Sequence, residues 1–237
     1  MNQGNRFVIP FIVIAALSVG ACSLLNPNQT DRKQATEDKA RNVSGDVWAT
    51  QNQIDATMVS LNNLMSADGA QLKQAYDHYS TDVDNLKKQT AVVAADGAFL
   101  KKQSDTYLTD WVKQSNDIND NELRASSEQD RKQVRNNFRT AEDAYERAQS
   151  AMAKLMGNFE DVRTALRNDL TTRSVQGIAQ TDVVKRAEQN ANETKSALKE
   201  VQTQSVALAQ ALSTGATRQA ASDGQNPSGT STQPQYK

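Results

Sequence analysis

"VRNNFRTAEDAYERAQSAMAKLMGNFEDVRTAL", residues 134–166, decides the fold. Its apolar side chains fall at Val134, Phe138, Ala141, Tyr145, Ala148, Met152, Leu155, Phe159, Val162 and Leu166, in alternating steps of four and three. That spacing gathers them into one narrow stripe along a helix, and such a stripe is stable only when a partner helix covers it. A strand would alternate every second residue, and no such pattern competes here.

The same rhythm continues on both sides. Leu72, Tyr76, Tyr79, Val83, Leu86, Thr90, Val93, Gly97, Leu100, Ser104, Tyr107 and Trp111 form a second seam, nine of whose twelve positions are apolar or aromatic while the rest are small. A third runs through Val184, Ala187, Ala191, Thr194, Leu198, Val201, Ser205, Leu208 and Leu212. An earlier, shorter helix carries Val47, Ile54, Met58, Leu61, Leu64 and Met65. "SADG" (66–69), "SNDINDN" (115–121) and "TTRSVQGIAQT" (171–181) interrupt the pattern with residues suited to turns, and Asp68 is a candidate N-cap.

Prolines stand only at positions 10, 27, 227 and 234, so none kinks a predicted helix. Leu72 to Trp111 spans about 60 Å at 1.5 Å per residue. Short connections imply antiparallel neighbours. The expected fold is therefore all-α: an elongated antiparallel helical bundle or coiled coil of three long helices plus one shorter helix, occupying residues 43–213 with disordered termini.

The beginning of the chain has a different character. Arg6 precedes an uncharged apolar run at 7–21, 15 residues long. This is short of the roughly 20 that cross a bilayer core and suits a cleaved signal peptide over residues 1–21. The run ends at Val19-Gly20-Ala21-Cys22, which resembles the lipobox of bacterial lipoproteins. The resemblance implies that Cys22 is acylated on sulfur, becomes the first residue after cleavage and is acylated again on its amine. Several acyl chains hold a protein stably in a membrane leaflet, where a single one is marginal. In the Gram-negative lipoproteins that this segment resembles, an aspartate after the cysteine favours the inner membrane; Ser23 and Leu24 stand there instead, so the resemblance implies the outer membrane, with the helical domain in the periplasm.

Cys22 is the only cysteine and has no disulfide partner within the chain. Residues 22–42 are polar after Pro27 and are expected to form a flexible tether. Residues 214–237, rich in Gly, Ser, Thr and Gln, are expected to be disordered.

The formal net charge of −1 becomes −2 when Arg6 leaves with the signal peptide, which gives no footprint for nucleic acid. His78 is the only histidine, so a site with two histidine ligands is excluded. No nucleophile elbow or phosphate loop surrounds it, and neither a cofactor nor enzymatic activity is expected. Neighbouring carboxylates such as Glu160 and Asp161, or Asp82 and Asp84, suit a solvated helix face better than acid–base work.

Lys73, Lys87 and Lys101 recur every 14 residues, with Lys88 and Lys102 beside the last two, making a basic stripe for an anionic surface. Pairing with carboxylates such as Asp84, four before Lys88, is its ordinary alternative. Lys237, at the end of the tail, is a candidate attachment point to peptidoglycan. The seam aromatics could line a groove for apolar cargo, although their spacing is that of a core.

"YLTDWVKQSNDINDNELRASSEQ" and "RNNFRTAEDAYERAQSAMAKLMGNFEDVRTALRNDL" together resemble a family of all-helical bacterial envelope proteins catalogued as a domain of unknown function. The resemblance rests on Trp111, Leu123, Arg124, Ser127, Met152, Phe159, Asp161, Val162, Leu166 and Leu170, extends over roughly 40–210, and departs at "TTRSVQ" after Leu170. It implies a helical fold and an envelope setting and supplies no activity. Leu123 and Arg124, with Ser126 and Ser127, are expected to start a helix. The expected function is that of a lipid-anchored structural or adaptor element of the envelope. Its partners are the membrane through Cys22 and an envelope protein or peptidoglycan, and oligomers are compatible with the seam. The alternatives are a carrier or chaperone-like module for apolar cargo and a tether to peptidoglycan through the C-terminal tail.

Overall fold

The structure, a computed structural model, describes residues 27–223. They form helices α1 (Pro27–Met65), α2 (Leu72–Asn116), α3 (Asn121–Asn168), α4 (Thr172–Ala179) and α5 (Val183–Asp223), with a 3-10 turn at Gly69–Gln71. No strand occurs among the described residues. The four long helices have 39, 45, 48 and 41 residues. At 1.5 Å per residue the longest extends about 72 Å.

Each long helix packs mainly on its neighbours in a ring, α1 on α2, α2 on α3, α3 on α5, and α5 on α1. Antiparallel order is visible in paired side chains. Arg147 on α3 meets Glu200 on α5 at 2.5 Å, and seven residues later Lys154 meets Glu193 at 3.4 Å. Between α1 and α2, Lys39 reaches Asp96 while Gln53 reaches the Asp82 carbonyl. The elongated all-α antiparallel bundle expected from the seams is the observed fold.

Burial follows the seams closely. Every position of the 134–166 series is 4 % exposed or less. The series on α5 is buried from Ala187 to Leu212, its hydroxyl positions included. Thr194 remains satisfied there because its Oγ1 donates to the Asn190 carbonyl at 2.7 Å. The same local bond serves Thr50 and Thr57 on α1.

Three details differ from expectation. Residues 27–42, expected as part of a tether, are the first turns of α1, so the first helix is long rather than short. Their buried positions are Thr36 and Ala40, which continue the heptad backwards from Val43 and Val47 without any large apolar side chain to reveal it. Strong helix formers supply the remainder, and Glu37 lies between Lys33 and Arg41 at 3.8 Å from each. Pro27 stands at the helix start, where its missing N–H removes no helical bond.

At the other end, α5 continues to Asp223, past the expected boundary at 213. The segment 171–181 is no plain turn but carries α4. The Thr171 side chain accepts from the Ser174 N–H, and Val175 and the partly buried Ile178 close that end of the bundle. Asp68 does occupy an N-cap position, that of the 3-10 turn, but without a capping bond from its side chain. The signal peptide, Cys22, residues 23–26 of the tether and residues 224–237, Lys237 among them, lie outside the described residues.

Two glycines predict opposite responses to one change. Gly97 on α2 faces Tyr145 on α3, and an added Cβ would meet Tyr145 Cβ at 3.2 Å and Gln149 Nε2 at 2.8 Å. Gln149 can swing away, whereas the Tyr145 stem cannot move without its helix. At Gly157 on α3 nothing lies within 4 Å. Gly157→Ala is expected to raise the unfolding free energy by about 1 kcal/mol through helix propensity alone. Gly97→Ala is expected to lower it by about 1–2 kcal/mol, because overpacking exceeds that gain. Urea unfolding followed by circular dichroism measures both.

Candidate functional site

The most unusual chemistry in the bundle is a carboxylate placed inside it. Asp96 lies on α2 one residue before the seam glycine and is 5 % exposed. Its Oδ1 accepts from Lys39 Nζ on α1 at 2.6 Å, and the same ammonium reaches Asp46 Oδ2 at 3.3 Å. Asp96 Oδ2 is buried without a hydrogen-bonding partner among the described residues. A cavity of about 10 Å³, the size of one water molecule, lies beside it against Thr36, Leu100, Tyr145 and Ser205.

All four long helices therefore contribute to this polar level. Burial raises the Asp96 carboxyl above the usual carboxylate range, and Lys39 offsets that only in part. For Lys39, burial pulls downward, but Asp96 and then Asp46 overcome it, so its pKa is raised. Burial also raises the Tyr145 hydroxyl, with Asp96 adding to the effect and a hydrogen bond with Ser205 opposing it. The arrangement locks the register of α1 against α2, since sliding either helix would strand a charge away from water.

A second tie joins α2 to α3. Arg163 donates to Asp84 on α2 and to Glu160 on its own helix, both at 2.6 Å. Asp84 thus pairs across helices rather than with Lys88, whose Nζ donates to Asn85 at 3.2 Å. Of the basic stripe, Lys73 is paired with Asp77 at 2.5 Å. Lys87, Lys101 and Lys102 are exposed, with no carboxylate within 4 Å among the described residues. His78 is exposed on the outer face of α2, with Nδ1 3.3 Å from Asp82 Oδ2.

The α2–α3 tip is the third constructed feature. Asp120 Oδ1 accepts from the N–H groups of Glu122 and Leu123, both at 2.9 Å, and so caps α3. Arg124 turns back so that Nε donates to the Ile118 carbonyl at 3.0 Å. Trp111 Nε1 donates to Ser127 Oγ at 2.9 Å, closing the last turn of α2 onto the first turns of α3. Leu123 and Arg124 do start a helix, as expected.

The seam aromatics are core. Phe138, Tyr145 and Phe159 are 4 % exposed or less, and Tyr107 and Trp111 pack edge to face with centroids 5.6 Å apart. Burial pushes the Tyr107 hydroxyl up to about 12. No group of three or more metal-ligating side chains converges among the described residues. No described helix is long and apolar enough to cross a membrane.

Lys39 and Asp96 escape sequence inspection because Gly97 fits the heptad step while its charged neighbour does not. "AADGAF" offered one signal, a lone carboxylate among small and apolar residues in mid-helix. Trp48, 68 % exposed on α1, carries no periodic signal at all.

Fold and site together define an up-and-down four-helix rod whose helices are held in register by polar ties, one of them on the buried Asp96. Residues 31–213 match the family described as "Protein of unknown function (DUF2959)", and the chain belongs to that family. The matched span coincides with the bundle and begins within α1. None of the curated proteins matches the chain.

Proposed function

We propose that the protein is a lipid-anchored, non-enzymatic structural or adaptor rod of the bacterial cell envelope. The observation that carries this is the sequence Val19-Gly20-Ala21-Cys22, a small-residue cleavage site and acylation cysteine five residues before the start of α1. Acyl chains on Cys22 hold the protein in the outer membrane, and the bundle extends from it into the periplasm. The burial of Tyr79, Phe138, Tyr145 and Phe159 supports a packed rod over a carrier, and the partly buried Tyr76, Tyr107 and Trp111 pack against the same core.

Replacing Cys22 with alanine is the direct test. The chain is expected to move from the membrane fraction to the soluble periplasmic fraction, with helix content unchanged because Cys22 lies outside the bundle. Undiminished membrane association of the Cys22→Ala chain would mean that an uncleaved apolar segment, not acylation, holds it.

A further inference from the structure

The polar level at Asp96 holds a carboxylate oxygen that the side chains around it do not serve. Oδ1 takes the Lys39 ammonium at 2.6 Å, while Oδ2 is buried and accepts from no described group. A charged oxygen shut away from water without a donor is destabilising, because it has given up its hydration and gained no bond in return. Asp96 stands in mid-helix, where the neighbouring backbone N–H groups are committed to α2 itself. A donor for Oδ2 therefore has to come from outside that helix.

The space beside Asp96 suits one donor of a particular size. Its volume of about 10 Å³ takes a single water molecule and no larger group. Two hydroxyls line it, Tyr145 from α3 and Ser205 from α5, and they bond to each other. Each carries one proton, so a bond between them leaves the second O–H to be donated outside the pair. Neither hydroxyl bonds to Asp96 Oδ2 directly. A water between them would accept that O–H and donate to the carboxylate, which supplies the polar partners that hold an internal water.

The walls do not suit a cation. Asp96 is the only carboxylate lining the cavity among the described residues, and the Lys39 ammonium already stands against it. A calcium or magnesium ion takes about six oxygen ligands or more. Of the lining residues, Lys39 and Phe99 keep partial contact with solvent and the others are buried, so water enters on the Lys39 and Phe99 side.

We propose that this cavity is a binding site for one internal water, which donates to Asp96 Oδ2 and accepts from the Tyr145–Ser205 hydroxyl pair. The water extends the tie between α1 and α2 into α3 and α5. One connected set of hydrogen bonds then crosses all four long helices at a single level. The competing arrangement is a dry cavity in which a protonated Asp96 donates from Oδ2 to one of the hydroxyls. The Lys39 ammonium at 2.6 Å works against it, because a neighbouring cation favours the carboxylate anion.

A crystal structure of the Cys22→Ala chain at neutral pH, at a resolution that shows ordered waters, tests the proposal. The expected map holds one fully occupied water within about 3.2 Å of both Asp96 Oδ2 and a hydroxyl of Tyr145 or Ser205. Adding Lys39→Met and Asp96→Ala together removes the charge pair and the acceptor while leaving both hydroxyls, and the water is expected to be lost although the space beside position 96 has grown. Asp96 bonded directly to either hydroxyl with no water between them, or a metal ion in the cavity, overturns the proposal. A water retained in the chain with Lys39→Met and Asp96→Ala overturns it as well, since the hydroxyls would then hold the water without the carboxylate.

Discussion

Phe159→Ala is expected to lower the unfolding free energy by about 3–5 kcal/mol, the range for emptying a fully enclosed aromatic position. Phe159 is 0 % exposed, and its ring stands edge-on to Tyr79, centroids 6.3 Å apart at an interplanar angle of 79°. The Tyr79 hydroxyl donates to the Phe159 carbonyl at 2.8 Å, so ring contact and backbone bond tie α2 to α3 at the same level. Burial holds the Tyr79 pKa far above the ordinary tyrosine value, which keeps that hydroxyl a donor. Neighbouring helices cannot collapse into the space without breaking the bond, so the cavity persists and the loss is large. Urea unfolding of the isolated bundle measures it, and a loss under about 1 kcal/mol would contradict the packing described.

The second large effect comes from Lys39. Lys39→Met removes the only cation paired with Asp96 among the described residues and leaves a carboxylate enclosed among Leu100, Tyr145 and Ser205. Breaking a fully buried pair costs about 3–5 kcal/mol. The Lys39 side chain is 35 % exposed, so solvent screens part of the pair and the expected loss is about 1–3 kcal/mol. Adding Asp96→Leu to Lys39→Met is expected to restore the loss or exceed it, since the uncompensated charge is gone. A double variant less stable than Lys39→Met alone would contradict this.

The pH dependence of Asp96 has a definite sign. Its folded pKa lies above the ordinary aspartate value of 3.8, so over the window between the two values the folded chain binds a proton that the unfolded chain has already released. The corresponding stability is fully present below 3.8 and is lost as pH rises through the raised folded value. The difference in unfolding free energy between wild type and Asp96→Asn should therefore fall over that window. A difference that rises would show Asp96 to be stabilised as an anion, with Lys39 outweighing burial.

Most of the bundle was legible in the sequence because its helices use the narrow seam that heptad spacing describes. Where the seam is apolar, as from Val134 to Leu166, spacing and burial coincide at every position. Where it is built of Thr36, Ala40, Thr50 and Thr57, burial is equally complete, but no hydrophobic contrast advertises it. The start of α1 was hidden for that reason. Hydroxyls can occupy these positions because each can bond to a carbonyl one turn back, a compensation that composition does not display.

The polar ties were less legible for a different reason. A period identifies the face of a helix that is covered but not which flanking residues a third helix also encloses. Asp96 sits one step from Gly97, rotated toward α1, and only the assembled ring shows that Lys39 waits there. Asp84 has an equally plausible partner four residues on, Lys88, yet the approach of α3 brings Arg163 to 2.6 Å. Conversely, the proposed anchor is legible only in sequence, since Cys22 stands outside the described residues.

The central claim is that this rod is fixed in a membrane through Cys22, and the intact mass of the full chain isolated from its own cell envelope tests it most directly. The expected species is a polypeptide that begins at Cys22, carrying a diacylglyceryl group on sulfur and a further acyl chain on the amine. A chain that begins at Met1, or a free thiol on Cys22, would contradict it.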